Sequence, residues 1–177
     1  GYFVARQYAD QWGIDLIHSL VRTERDHGWA PDPMLLLESI VPPYDTRMKE
    51  LAARLRLSKA EASRLENWAS SGEAKAGRTD KILALDLYRG DRQGIYDRLK
   101  LALASSTEKA DSKSAGNLLR QIAFTENWDR PVFPLSGADM LARGLEAGPE
   151  VGRRLKQLEE KWVASGFTLG KAQLLDS

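Results

Sequence analysis

The stretch PLSGADMLARGLEAGPEVGRRLKQLEEKW, from Pro134 to Trp162, contains the signals that begin and end two helices. Ser136 stands three residues before Asp139, and a serine followed by an acidic residue at this spacing is typical of a capping box. The spacing predicts a helix that begins at Ser136. Gly144 is predicted to end this helix, because glycine adopts the left-handed backbone conformation at little cost.

A second helix is predicted directly after the first. Pro149 suits the first helical position, where the N–H that proline lacks would have no partner in any case. Four apolar residues then fall on one face at helical spacing: Val151, Leu155, Leu158 and Trp162. Gly166 is predicted to end this helix, and Gly152 is expected to let a neighbouring helix approach closely.

Helical spacing of apolar residues continues through the rest of the chain, and no alternating run is long enough for a β-strand. The sequence therefore predicts an all-α fold, an irregular bundle of short helices without a fixed-period repeat. Residues 105–113 are polar and poor in large apolar side chains, which predicts a mobile loop. We therefore expect a helical body over residues 1–104 and a helical tail over residues 114–177.

Polar residues mark where the helices of the predicted body begin. The predicted N-terminal caps are Asp45 or Thr46, Ser58 with Glu61, Asp80, and Asp91. Asp97 lies six residues after the last of these caps, and we expect it on the solvent-exposed face of its helix.

Composition limits the classes of function. The chain has 177 residues, 42% of them hydrophobic, which is enough for one domain or two small ones with an apolar core. It has no cysteine, which excludes disulfides, thiolate catalysis and cysteine-based zinc sites and favours a cytoplasmic protein. No apolar run approaches the ~20 residues that cross a bilayer, so no membrane partner is expected. His18 and His27 do not have the spacing of a helical metal pair.

Two segments carry a resemblance to a known family: Pro-Leu-Ser-Gly-Ala-Asp at 134–139 and Gly-Pro-Glu-Val-Gly at 148–152. At this spacing they resemble the C-terminal tail of bacterial class II tRNA nucleotidyltransferases, the CCA-adding enzymes, and of the related poly(A) polymerases. A weaker likeness extends upstream through residues 51–65 and 12–40. The resemblance implies transfer of nucleotides from a nucleoside triphosphate to the 3′ end of an RNA, with tRNA or another RNA as the substrate.

The residues that would carry this chemistry are missing from the sequence. In the family that the chain resembles, an Asp-x-Asp pair after a glycine-rich turn holds Mg²⁺ beside the triphosphate. Here no two aspartates stand two positions apart. We therefore predict no catalytic residue, metal or cofactor in this chain, and expect Mg²⁺ and the nucleoside triphosphate in a catalytic head outside it. The chain alone is expected to be inactive and to dock the RNA.

Docking would depend on local basic patches, since the net charge is only +1. Residues 47–64 hold six basic and two acidic side chains. The candidates in this segment are Arg54, Arg56, Lys59 and Arg64. The candidates on the last long helix are Arg153, Arg154 and Lys161, of which the two arginines lie near a helix N-terminus that would favour a phosphate.

Two other functions remain open at this stage. Residues 48–65 also fit a DNA-binding helix-turn-helix, in which the second helix would read bases through Lys59, Ser63, Arg64 and Asn67. Arg56 stands where such a turn often carries glycine. The second alternative is a structural or protein-interaction module without affinity for nucleic acid. Of the five tryptophans, Trp29 is the candidate for an exposed ring that stacks on a base.

Overall fold

The structure is a computed structural model that describes residues 13–176, without the side chains of Asp45 and Glu108. Within this range the regular elements are ten α-helices, and no strand is present, which confirms the all-α prediction. The chain divides into two compact units, Gly1–Trp128 and Asp129–Ser177. Residues 1–12, with which the predicted body begins, lie outside the described residues.

Seven helices make up the described part of the first unit. They are α1 (Ile14–Asp26), α2 (Pro33–Ile40), α3 (Asp45–Arg54), α4 (Lys59–Ser70), α5 (Asp80–Arg89), α6 (Arg92–Glu108) and α7 (Ser112–Glu126). The described part of the second unit has three more: α8 (Gly137–Ala142), α9 (Pro149–Ala164) and α10 (Lys171–Leu175).

The core of the first unit consists of two apolar clusters that share α6. One cluster includes buried leucines of α1, α2 and α4 together with Leu101 and Ala104 of α6. The other joins buried residues of α5 and α7 to Leu99 and Leu103 of α6. Because α6 contributes to both clusters, it is buried on more than one side, and few of its positions reach solvent.

The predicted division at residues 105–113 does not coincide with the boundary between the two units. Helix α6 continues to Glu108 and α7 begins at Ser112, so the polar segment is mostly helical. Leu118 and Ile122 of α7 are buried in the second apolar cluster of the first unit. The packing of these apolar side chains places α7 in the same unit as α6. The polar residues that connect the two helices do not indicate this packing.

Most of the predicted helix ends are confirmed. Ser58 and Glu61 form a capping box, since the Ser58 N–H donates to Oε2 at 2.7 Å and the Glu61 N–H donates to Oγ at 3.3 Å. Asp91 accepts a hydrogen bond from the Gly94 N–H at 2.7 Å. At two starts the cap lies one residue earlier than Asp45 and Asp80: Tyr44 precedes α3, and Thr79 precedes α5.

The second unit begins and ends its helices at the predicted residues. The Asp139 carboxylate accepts from both the N–H and the hydroxyl of Ser136 at 2.9 Å. Pro149 occupies the first turn of α9, and Gly144 has a φ of 92°. The expectation that Gly152 allows close helix packing is wrong, because a Cβ there would meet no atom within 4 Å.

The glycine that does permit a close approach is Gly94, in the first turn of α6. A Cβ at this position would lie 2.6 Å from the backbone oxygen of Asn67, near the end of α4. Real Cβ atoms do not come so close to a backbone oxygen, so a side chain here would force α4 and α6 apart.

Candidate nucleic-acid interface

The α3–α4 hairpin exposes several basic side chains to solvent. Its turn passes through Arg56, which has a φ of 54° and therefore adopts the left-handed conformation that usually selects glycine. This turn leaves Leu57 partly buried against the first apolar cluster and begins α4 at the Ser58 cap. The exposed basic residues of the hairpin are Arg47, Lys49, Arg54, Arg56 and Lys59, which we call the α3–α4 basic surface.

Acidic neighbours neutralise this surface only weakly. Arg54 lies 3.9 Å from a carboxylate oxygen of Glu50, and the two side chains are 78% and 74% exposed. Lys49 lies 3.9 Å from Glu66. Exposed ion pairs at such distances contribute little to stability, because water screens both charges. Their cations can therefore exchange one anionic partner for another at small cost.

Arg64, by contrast, is separated from the basic surface and lies largely inside the bundle. Its Nε donates to Asp97 at 2.8 Å and its Nη1 donates to Asp32 at 3.2 Å. The side chain is 21% exposed, and Asp97 is fully buried. The expectation that Asp97 faces solvent is therefore wrong. Its helix α6 contributes to both apolar clusters, so a position opposite one cluster still lies inside the unit.

Glu38 completes a set of buried and partly buried titratable groups that sequence reasoning missed. It is fully buried, and neither carboxylate oxygen has a hydrogen-bond partner among the described residues. Burial, followed by the nearby charge of Asp97, raises its pKa to about 9, so the carboxyl is protonated at neutral pH. We call Asp32, Glu38, Arg64 and Asp97 the buried ion cluster. The only local signal was an acidic residue inside the apolar run of α2.

The position of Arg64 bears on the helix-turn-helix alternative. Two of the four side chains that would read bases are Arg64, bound to two aspartates, and Asn67, whose backbone oxygen lies against the start of α6. The face of α4 that carries these two residues packs against α6, and both are half-buried. This packing disfavours sequence-specific DNA recognition through α4.

The α9 candidates have unequal exposure. Arg153 is exposed and its Nε donates to Glu150 at 2.9 Å, while Lys161 is exposed near the end of the helix. Arg154 is half-buried, with Nη1 at 3.5 Å from Oε1 of Gln157. Trp162 of the same helix is buried, with ring centroids 5.4 Å from Phe133 and 5.1 Å from Phe167.

The exposed aromatic ring beside the cations belongs to Tyr44, which the sequence did not single out. Its side chain is 54% exposed, and Cζ of Arg47 lies 5.9 Å from the ring centroid. Trp29 is half-buried. His27 stacks on it at 5.2 Å between centroids, and Nζ of Lys100 lies 4.6 Å from its ring. The indole of Trp29 is therefore a less open stacking surface than the phenol of Tyr44.

The carboxylates of the structure do not fit a magnesium site. Among residues 13–176 no three histidine, aspartate or glutamate side chains are placed to hold a metal ion. Asp32 and Asp97 both accept hydrogen bonds from the guanidinium of Arg64, so these carboxylate oxygens already have a cationic partner. In the same described range, no helix combines the length and the apolar character that a membrane span requires.

Comparison with known proteins finds relatives named "CCA tRNA nucleotidyltransferase 1, mitochondrial" in three vertebrates. The Mus musculus protein is 32% identical over 148 residues, covering 84% of this chain and 33% of that protein. The Homo sapiens protein is 30% identical over the same length and coverage. The Danio rerio protein is 26% identical over 117 residues, covering 58% of this chain.

The chain therefore spans about a third of the length of the curated relatives that it matches. These relatives come from vertebrates. They support the resemblance to the family, but they do not support the bacterial origin inferred from the sequence. No family model matches the chain.

Proposed function

We infer that the chain belongs to the CCA tRNA nucleotidyltransferase family, and we propose that it docks the RNA whose 3′ end such an enzyme extends. Similarity over 84% of the chain supports the family. The exposed, weakly paired cations of the α3–α4 basic surface support the docking role. Addition of CCA to tRNA is the proposed activity of the whole protein, and the poly(A) polymerase relationship remains an alternative within the proposal.

The chemistry of nucleotide transfer is assigned to a catalytic head outside these 177 residues. Mg²⁺ and the nucleoside triphosphate would bind there, and the chain by itself would be inactive. A cytoplasmic location and a bacterial class II origin are further parts of the proposal.

The proposed role of the basic surface is to hold RNA phosphates. A capped hairpin fixes the backbone at Arg54, Arg56 and Lys59, so binding would have to order only their side chains. Contacts to phosphates position a nucleic acid but do not read its sequence. Structured RNA is recognised mainly through its shape, phosphates and 2′-hydroxyl groups. Arg153 and Lys161 would make the equivalent contacts from α9.

Arg64 is left out of the proposed docking surface, because its guanidinium already binds two carboxylates of the buried ion cluster. A phosphate would have to replace these short, partly buried contacts. Arg154 keeps a secondary place in the proposal, since it is half-buried beside Gln157.

The experiment is a titration of this chain with a tRNA transcript, followed by fluorescence anisotropy at low and moderate salt. We expect Arg56→Gln combined with Lys59→Gln to weaken tRNA binding about tenfold at low salt, because two phosphate contacts are lost. Lys81→Gln, which removes an exposed lysine on α5, is the matched control and should change the affinity less than about twofold.

Three outcomes separate the functions. Salt-sensitive tRNA binding that depends on the basic surface supports RNA docking. Tighter binding to a particular duplex DNA than to tRNA would favour the helix-turn-helix alternative. If neither nucleic acid binds at low salt, the docking role is lost, and a structural module is the remaining interpretation.

A further inference from the structure

We propose that a groove beside the α3–α4 basic surface holds one unpaired nucleotide of the docked RNA, with its base on Tyr44 and its phosphate between Arg47 and Arg54. This inference rests on the proposed function, and it names the structural feature of the RNA that the surface selects.

The groove is formed where the segment after α2 turns into α3. It has a volume of about 440 Å³ and is lined by apolar side chains that include Val41, Pro42 and Leu51, with the two arginines beside them. This volume lies within the ~300–1,000 Å³ of small-ligand sites. A lining that combines apolar side chains with cations matches a nucleotide, which is flat and largely apolar on the faces of the base and anionic at the phosphate.

Tyr44 supplies the stacking surface. Its ring is 54% exposed, and its side chain does not cap α3. The contact that the ring makes with the guanidinium of Arg47 leaves more than half of the residue open to solvent. Proteins that bind single-stranded nucleic acid place exposed aromatic rings beside basic side chains in the same way, because every base has a π-face.

The two arginines supply the charge. Arg47 lies at the ring of Tyr44, 5.9 Å from the centroid, and has no carboxylate partner among the described side chains. Arg54 also lines the groove, and its only carboxylate contact in the described part of the chain is the exposed pair with Glu50 at 3.9 Å. Among the described side chains that line the groove, two cations therefore face one carboxylate, and this excess of one positive charge is complementary to a single phosphate.

The charge of Glu50 should weaken RNA binding in the groove. Its carboxylate lines the groove and opposes a phosphate there, while contributing little to stability through its exposed pair with Arg54. Glu50→Gln should therefore strengthen RNA binding.

An unpaired nucleotide fits better than a base pair. In an RNA duplex the bases are stacked inside the helix, and their faces are closed to a protein side chain. A ring at the wall of a groove can be covered only by a base that has left the stack. The basic surface next to the groove would bind the adjoining duplex through its phosphates.

The experiment compares two stem-loop RNAs that differ only in a single bulged 2-aminopurine nucleotide. Affinity is measured by anisotropy, and the fluorescence of the bulged base reports whether it stacks. We expect the chain to prefer the bulged RNA. Tyr44→Ala should lower the affinity for the bulged RNA about tenfold. Tyr44→Phe should retain both this affinity and the fluorescence change. Thermal unfolding of each variant checks that the fold is intact.

Arg56→Gln with Lys59→Gln serves as the second arm, since it should weaken binding of both RNAs equally. If the double variant weakens binding of both RNAs but Tyr44→Ala does not change the preference for the bulge, the proposed nucleotide site is wrong. The proposed RNA docking would still be supported. If Glu50→Gln leaves the affinity unchanged, the phosphate is not held in the groove. If neither RNA binds, the docking function and the nucleotide site are both lost.

Discussion

Glu38 shows how burial can override the ordinary chemistry of a side chain. It stands on α2 with no exposed surface and no partner for either oxygen in the described part of the chain. Asp97, Arg64, Asp32 and Arg98 are the charged groups whose fields act on it. A buried carboxylate without hydrogen bonds is costly, so the carboxyl keeps its proton and its pKa rises to about 9.

This protonation predicts a dependence of stability on pH. The ordinary pKa of 4.5 applies to the unfolded chain, so between pH 4.5 and about 9 the folded chain binds one more proton at Glu38. The stability that Glu38 contributes at low pH is therefore lost progressively as pH rises to about 9. The side chain in Glu38→Gln cannot ionise. The free energy of unfolding of this variant, relative to that of the unchanged chain, should therefore increase from pH 5 to pH 9.

Urea denaturation at several pH values measures this difference. A stability difference that stays constant from pH 5 to pH 9 would mean that Glu38 is not protonated in the folded chain. Glu61→Gln is the comparison, since Glu61 is exposed and its pKa is lowered by the Ser58 cap.

Gly94 is the second position where a single side chain should be decisive. Gly94→Ala places a methyl group against the backbone oxygen of Asn67. We expect a loss of about 1–3 kcal/mol in the free energy of unfolding, as is usual for overpacking. Gly116→Ala in α7 is the matched control. No atom lies within 4 Å of its new Cβ, so this change should stabilise the chain by about 0.5–1 kcal/mol.

Between elements, Arg64 joins three parts of the first unit. It lies on α4, contacts Asp97 on α6, and contacts Asp32, which caps α2 by accepting hydrogen bonds from the N–H groups of Met34 and Leu35. A single guanidinium therefore fixes the position of α4 against α2 and α6. The same contacts remove it from the surface that we propose for RNA.

Loss of this guanidinium should destabilise the fold. Arg64→Gln leaves the buried carboxylate of Asp97 without its cation, and removing one partner of a buried pair typically costs about 3–5 kcal/mol. Arg54→Gln removes an exposed arginine of the same hairpin and should stay within about 0.5 kcal/mol. Chemical denaturation of the two variants measures both values, and equal stability of the two would contradict the role assigned to Arg64.

Helix ends were predictable because their signals are local. The capping boxes at Ser58 and Ser136 and the proline at the start of α9 each act within three residues, and all three are confirmed. The misplaced start of α5 has a local cause as well. Thr79 and Asp80 are both good caps, and the threonine hydroxyl is the one that accepts from the Ile82 N–H.

At the scale of the whole molecule, RNA binding should follow the exposed charge. The logarithm of the association constant is expected to fall linearly with the logarithm of the salt concentration. The double change Arg56→Gln with Lys59→Gln should reduce this slope by about 1.4–1.8, since each phosphate contact contributes about 0.7–0.9. Binding isotherms over a salt series measure the slope. An unchanged slope would show that these two cations do not touch phosphates.

The sequence by itself determined the helices, most of their ends, the absence of an Asp-x-Asp pair and the likeness to the tRNA nucleotidyltransferases. Each of these depends on neighbouring residues or on a short motif. Tertiary structure decided which charges are usable. Arg64 and Asp97 are 33 residues apart in the chain, so no local pattern reveals that they neutralise each other.

The same physical reason explains the exposed ring of Tyr44 and the boundary between the units. Whether a tyrosine after Pro43 faces solvent, or α7 joins the core of α6, depends on which apolar surfaces meet after the chain has folded back on itself. Local sequence specifies where helices form. The packing between them specifies which side chains remain exposed to water.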